Sequence, residues 1–532
     1  MAGRRSGSGS GRGSGRGFGT RLREGVWEIP LRRYLALLVA AAVVAGLVLA
    51  VRTLLQDDRS CAPGVVMPEG SDECVGVSAT GYYFDRPQLR EVVRAIDREN
   101  KSIEGGYVTV AMLEPFTATD PDNLGDVLHE LQGAYLAQYQ ANHNSNGAVP
   151  AIRLVLANPG ATGAHWEHTV DQLERMTKGK DRLRAVTGVG LSTANNKKAV
   201  AALTARGIAV VGTSITADDL ANGLSGKNPF PGLARVAPTN SDEARALASF
   251  AKDQAVSFSA DQAVLVYDEK GDPYTRTLQR SFQKLLKGSP YAPWSFNAPD
   301  DRSQEGNTAN DFRQITHLVC DTGDSTDTIF FAGRHTQLRQ FINALGNRGC
   351  QDRKFTLLSG DEASYLTGDK KLDRDALKRN LTVRYTALAH PDAWLKGPAP
   401  TGGSTADAKA LLDLVAEARG DKVGPIGKVD LEDGQLIIAY DAMRLTYQGI
   451  REAKPPGKTA PALEDVSNEW RLMKGTQQRV NGASGWICLN NHGNPYDKAV
   501  PIVELTPEGT ARFVKIAWPE GKPPAKECLP PS

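Results

Sequence analysis

The sequence predicts an α/β protein made of two tandem units, each a mostly parallel sheet with helices on both faces, behind one membrane-spanning helix. Three observations predict it. Short apolar, β-rich runs alternate with segments of helical apolar spacing from residue 107 onward. The alternation restarts after Pro238. An uncharged run, "YLALLVAAAVVAGLVLAV" from Tyr34 to Val51, precedes both units.

That run is just long enough to span a bilayer as a helix. Residues 1–33 carry eight arginines and two acids, Glu24 and Glu28, in a Gly/Ser/Arg-rich stretch with almost no apolar surface to bury. The arginines abut the span on its N-terminal side, so the positive-inside rule puts that end in the cytoplasm and the bulk of the chain outside. A disordered basic tail (1–33), an uncleaved signal anchor (34–55) and a polar extracytoplasmic stalk (56–105) follow as expectations, with a cleaved signal peptide as the alternative. The net charge of +2 predicts no nucleic-acid partner.

All six cysteines, Cys61, Cys74, Cys320, Cys350, Cys488 and Cys528, lie beyond the span, as disulfides in an oxidising compartment would. Six cysteines allow fifteen pairings. Proximity favours Cys61–Cys74 and Cys488–Cys528, leaving Cys320–Cys350, and the last two each precede a predicted strand. Buried free thiols are the alternative.

In the first unit, "YVTVAML" (107–113), "IRLVLANPG" (152–160), "RAVTGVG" (184–190) and "IAVVGT" (208–213) read as strands. Helices at 123–143, 165–177 and 195–207 alternate with them. In the second, a capped helix follows Pro238, and strands are expected at 263–269, 328–333, 355–360 and 383–389. A long helix at 434–453 and short strands in the tail from 478 to 518 complete the pattern. Continuous apolar strands of this kind belong to sheets covered on both faces.

The tandem units, the junction "ARVAPTNSDEARALASFA", the restart "VLVYDEKGDPYTRTLQRSF", the helix "IIAYDAMRLTYQGI" and the tail "GASGWICLNNHGNPYDKAVPIVEL" together resemble the type I periplasmic binding proteins. The branched-chain amino-acid binding proteins of ABC transporters are the most similar subset. The resemblance covers about residues 105–518. It implies two Rossmann-like lobes joined by three crossovers: lobe 1 as 106–237 plus 392–455, lobe 2 as 238–391 plus 456–532. It also implies a solute cleft between them. Physics gives the same place, since ligands of open α/β sheets bind beyond the carboxyl ends of the strands.

The residues that follow the strands are the candidate site. In lobe 1 these are Phe116 and Thr117, Asn158 and Gly160, Ser192 and Thr193, and Thr213–Thr216. Hydroxyls before helix N-termini suit a carboxylate. The resemblance implies that Ser192, Thr193, Thr213 and Ser214 hold the carboxylate and amino group of an amino acid; each could equally be an ordinary helix cap. In lobe 2 the resemblance implies Tyr274 near the ligand and Asp361 against its ammonium. Arg334 is expected to pair with Asp361 or to favour an acidic ligand side chain, or to be a plain surface charge. Asp268, His335 and Glu362 also follow strands.

Other chemistry finds little support. "GVGLST" is an incomplete dinucleotide fingerprint, and "GLSGKN" fails as a phosphate loop. The pair His165 and His168 has no third ligand nearby, and no G-x-S-x-G elbow occurs. The expectation is therefore a non-enzymatic, cofactor-free extracytoplasmic solute-binding protein. Its solute is an amino acid or similar, and its partner an ABC permease. The alternative is an anchored sensor with a signalling partner.

Overall fold

The computed structural model describes residues 30–55, 59–144, 150–224, 226–253, 258–299, 305–420 and 422–531. Helix α1 (Pro30–Leu55) covers the uncharged run, and its described side chains, at 34, 35 and 37–47, are exposed. Among the described residues no helix is long and apolar enough to cross a membrane. The expected spanning helix is therefore not supported. The basic segment 1–29 lies outside the described residues.

From Cys61 the chain forms a second unit. Its first sheet contains β1 (Ser60–Ala62), β2 (Val65–Val66), β3 (Val75–Ser78), β4 (Tyr107–Leu113), β5 (Ala151–Asn158), β6 (Leu183–Gly188), β7 (Ala209–Gly212) and β8 (Leu233–Arg235), in the order β1-β2-β3-β5-β4-β6-β7-β8. From β5 to β8 neighbours are parallel, and β3 joins β5 antiparallel. Helices α2 (Arg90–Ser102), α3 (Pro121–Asn144), α4 (Trp166–Met176) and α5 (Ala194–Ala205) cover it. The strands are where their apolar runs put them, and all but the first residue of β4 is buried.

The segment expected as a stalk is instead part of this lobe. β3 hydrogen-bonds to β5, and α2 buries Val92, Val93, Ala95 and Ile96. The reason is amphipathicity: α2 carries apolar side chains on one face, and that face has the first lobe to cover.

The second lobe begins with α6 (Asn240–Asp253), β9 (Ala263–Asp268), α7 (Pro273–Leu285), β10 (Trp294–Phe296), α8 (Thr308–Asp321), β11 (Thr328–Ala332), α9 (His335–Gly346), β12 (Phe355–Ser359) and β13 (Leu381–Thr386). The chain then returns to the first lobe through α10 (Thr405–Glu417), α11 (Gln435–Ala453) and the hairpin β14 (Val480–Gly482)–β15 (Gly485–Ile487). It finishes with β16 (Val500–Leu505) and β17 (Ala511–Ala517) in the second sheet, ordered β10-β9-β11-β12-β13-β16-β17.

Three crossings therefore join the lobes, near 236–240, 387–392 and 489–500. The last differs from expectation. Residues 456–489 belong with lobe 1: Val466, Trp470, Met473, Val480, Ile487 and Leu489 pack in its core, and the Trp470 indole donates to the Gly232 carbonyl at 2.9 Å. Buried Asp441 of α11 fixes the hairpin by accepting the Ala483 and Ser484 amides, each at 2.8 Å.

All six cysteines are paired as proximity favoured: Cys61–Cys74, Cys320–Cys350 and Cys488–Cys528. Cys320–Cys350 ties together the approaches to β11 and β12, which are parallel neighbours.

Helix α3 is the spine of lobe 1. It packs along α11 so closely that a Cβ at Gly133 would stand 2.1 Å from the Leu436 carbonyl oxygen and 2.8 Å from the Tyr440 nitrogen. Backbone on both sides leaves no flexible atom to give way. Gly133→Leu is therefore expected to separate the helices and cost about 3 kcal/mol. Urea unfolding checks this; a loss below about 0.5 kcal/mol would place the close approach elsewhere.

Candidate functional site

The carboxyl ends of both sheets face each other across a cavity of about 320 Å³. Four helix N-termini converge on it, two from each lobe. Asp120 and Asn123 come from the start of α3, and Thr193, Ala194 and Asn195 from the start of α5. Asp272 and Thr275 come from the start of α7, and Arg334 and Gln337 from the start of α9. Lys270 and Asp268, from the loop after β9, complete the polar lining used below.

Local sequence explains each terminus. Thr193 caps α5 by accepting the Asn196 amide at 3.1 Å. Asp272 caps α7 through the Thr275 amide at 3.1 Å, with Pro273 in the first helical position. Asp120 Oδ1 accepts the amides of Asp122 and Asn123 at 3.1 and 3.0 Å. The first-turn N–H groups of α5, at Ala194 and Asn195, have no intrahelical acceptor and lie on the cavity wall.

The lobes are in direct contact behind the cavity. Buried Arg334 holds Asp272 at 2.6 Å and also pairs with Glu362; both acids belong to lobe 2. It reaches across to donate to the Ser192 carbonyl at 3.0 Å. Its guanidinium lies over the Tyr274 ring, 4.5 Å from the centroid. Thr216 donates to Asp361 at 3.3 Å, and Arg276 pairs with Asp219 at 2.9 Å, both across the junction.

Of the eight residues expected to touch ligand, the structure brings two, Thr193 and Arg334, to the cavity. The rest stand behind it with other partners. Phe116 is fully buried and stacks on Phe84, from the expected stalk, at 5.4 Å. Ser192 Oγ accepts the Thr216 and Ala217 amides, each at 3.1 Å. Thr213 donates to Glu130 at 2.7 Å, and Ser214 donates to the other oxygen of the same carboxylate. Tyr274 is under Arg334, its hydroxyl 3.4 Å from the Glu362 amide. Arg334 pairs with Glu362 and Asp272 rather than with Asp361.

The carboxylate these hydroxyls hold is thus the chain's own. Glu130 projects from α3, and Glu114 beside it accepts the Gly190 amide at 2.8 Å. A Cβ at Gly190 would stand 2.6 Å from Glu130 Oε1, and one at Gly188 2.7 Å from Glu114 Oε1. The glycines of "TGVGLST" clear room for two internal carboxyl groups. The wall around Asn158 and Gly160 is likewise closed from within: Glu73 accepts from Thr117 at 2.6 Å and from the Ala161 amide at 2.7 Å.

These acids titrate abnormally. Burial, then the charge of Glu130, raises Glu114 well above the ordinary carboxylate range. Burial also raises Glu130, against hydrogen bonds from Ser214 and Thr213 that lower it. Burial and Asp433 raise Asp126, and burial and Asp361 raise Glu243. Asp361 is pushed up to about 7 by burial and by the neighbouring Glu362 charge.

Helix spacing predicted none of Glu114, Asp126, Glu130 or Glu243 as a site residue. Asp272 was legible as a cap, being an Asp directly before a proline; its bond to Arg334 was not.

The direction of the pH dependence follows. An unfolded Asp loses its proton near pH 3.8, whereas folded Asp361 keeps it to about 7. Between those values the folded chain binds more protons than the unfolded one, so stability falls as pH rises through that window. Glu114, Asp126, Glu130 and Glu243, also raised, act in the same sense. The melting temperature is expected to be higher at pH 5 than at pH 8, and Asp361→Asn to shrink the difference. A melting temperature that is flat or rises over this range refutes the assignment.

No protein-family model matches the chain, and no curated protein matches it. Solved structures do. A leucine-binding protein, LivK, of Thermotoga maritima is 17% identical at a TM-score of 0.53, covering 78% of this chain and 99% of that chain. An ABC transporter substrate-binding protein of Desulfitobacterium hafniense in complex with leucine gives 17% and 0.53, covering 77% and 100%. A solute-binding protein of an ABC transporter from Rhodopseudomonas palustris in complex with p-hydroxybenzoic acid gives 16% and 0.53, covering 78% and 98%. At these identities the likeness is one of fold, and the fold is that of the type I periplasmic binding proteins.

Proposed function

We propose that this protein is an extracytoplasmic solute-binding protein. It takes a small polar solute bearing a carboxylate, an amino acid foremost, into the cavity between its lobes. The observation that carries the reading is the convergence of four helix N-termini, two from each lobe, on one cavity of about 320 Å³. That volume suits a small ligand. The unsatisfied first-turn amides of α5 and the exposed Lys270 ammonium supply donors and positive charge for an anionic end. Asp268 and Asp120 face the same space and suit an ammonium. Leucine and p-hydroxybenzoate, named with the fold's neighbours, both carry a carboxylate. Three disulfides fit an oxidising compartment.

Binding is by closure of the lobes on the solute, without covalent chemistry. The first version of this role delivers the solute to an ABC-type permease. A second reading, a membrane-anchored sensor that signals to a partner, draws on the uncharged run at 34–51 and the exposed apolar side chains of α1. Carbonate extraction of membranes separates the two: an anchored chain stays in the pellet, a diffusible one is released.

The solute reading is tested by thermal shift against amino acids and small aromatic acids. A ligand at 100 times its Kd stabilises by about 2.7 kcal/mol, a readily measured rise in melting temperature. Lys270→Glu reverses a charge on the cavity wall and is expected to weaken binding at least tenfold, whereas neutral analogues of the solute should bind poorly to both forms. Solute affinity unchanged by Lys270→Glu would remove the cavity from the argument.

A further inference from the structure

His335 opens α9 and is 3% exposed. Its Nδ1 lies 2.8 Å from Glu362 Oε2, and its backbone amide donates to the same oxygen at 3.2 Å. The ring is held flat against Tyr365, with centroids 4.4 Å apart and planes 3° from parallel. Arg334 binds the other oxygen of Glu362, so that carboxylate is the acceptor and Nδ1 carries the hydrogen. The remaining nitrogen, Nε2, is buried and has no hydrogen-bond partner among the described residues.

An unused imidazole lone pair in the interior calls for an electrophile. A ring nitrogen of His335 and one carboxylate oxygen each of Asp120 and Asp122 all lie within 4.8 Å of one another. Asp120 uses Oδ1 to cap α3, and Oδ2 takes no part in that cap. The nearby cation Arg339 is paired directly with Asp369 at 3.1 Å and Glu305 at 2.8 Å, and it acts on Asp122 only at longer range.

The geometry points to a divalent transition-metal site in which Asp120 and Asp122 of lobe 1 and His335 of lobe 2 grip one ion of the zinc class across the lobe junction. A carboxylate on the far side of a histidine ring is the usual outer support of such a ligand, fixing tautomer and orientation. Three protein ligands of the N, O, O kind leave a fourth position for water or for a donor atom of a solute. Ligand atoms around tetrahedral zinc stand about 3.4 Å apart, so side-chain shifts of roughly an ångström complete the site. Because the ligands come from both lobes, the ion binds the closed arrangement and favours it by linkage.

The test is calorimetric titration of ZnCl2 into the full, untagged chain after chelator treatment, with no solute present, so its outcome is independent of the solute reading. One equivalent is expected, with a Kd below about 10 µM, and no binding of MgCl2. Asp122→Asn, at a partly buried position, and His335→Gln should each weaken zinc at least tenfold. His129→Gln should not, because His129 is already paired with Asp433. The proposal is overturned by the absence of zinc binding up to about 1 mM, by an affinity unchanged in either Asp122→Asn or His335→Gln, or by a loss that follows His129→Gln instead. Circular dichroism of each variant establishes that it is folded before its titration is read.

Discussion

The lobes of this protein meet on an excess of buried carboxyl groups, and Arg334 is the cation that pairs with two of them. Asp361 and Glu362 sit at the junction, Glu243 lies beside Asp361, and Asp126, Glu114 and Glu130 belong to lobe 1 behind it. Arg334 touches Glu362 directly, holds Asp272 as well, and reaches across to the Ser192 carbonyl. A buried guanidinium with two carboxylates satisfies its donors in a way a lysine could not, because its fork presents several N–H groups in one plane. Removing it would leave Glu362 and Asp272 uncompensated, the costly half of breaking a buried pair. Burial raises Glu114, Asp126 and Glu243 well above the usual carboxylate range and raises Glu130 and Asp361 as well.

This arrangement changes what the hydroxyl-rich loops mean. Thr213 and Ser214 have the chemistry to hold a carboxylate, and they hold one, that of Glu130. Glu114 lies in the backbone cradle made by the glycines before Ser192. The inner wall of lobe 1 is therefore satisfied without a solute, and the open space lies nearer the rim, where α5 and α7 begin. A fold can keep its cleft in place while moving the binding volume outward, because site chemistry depends on loop side chains rather than on the sheet.

Much of the frame was legible in the sequence. Continuous apolar strands such as "YVTVAML" with amphipathic helices between them predict a mostly parallel sheet, since alternating strands and helices cover both faces that way. The disulfide pairs followed from spacing. What was not legible has a common cause: it depends on partners distant in sequence. β3 is four residues long and is a strand because β2 and β5, distant in sequence or short themselves, lie on either side of it. Glu130 sits in a helix whose polar residues look solvent-facing, until α11 and the Thr213 loop cover them. Asp272 caps its own helix, a local fact, but its pairing with Arg334 spans 62 residues. Local pattern fixes elements; the charge inventory of a buried junction is a property of the assembled lobes.

An anionic solute entering this cleft would add negative charge beside carboxyl groups that are already in excess. Its binding is thus linked to whatever neutralises them. Protons do so at the inner cluster, where Asp361 titrates at about 7. A metal ion would do so at the rim, where Asp120 and Asp122 approach His335. Linkage is reciprocal: a neutralised junction binds the anion more tightly, and the bound anion raises affinity for the proton or the ion by the same factor. The same crowding of carboxyl groups around Arg334 therefore makes the junction responsive to protons and cations.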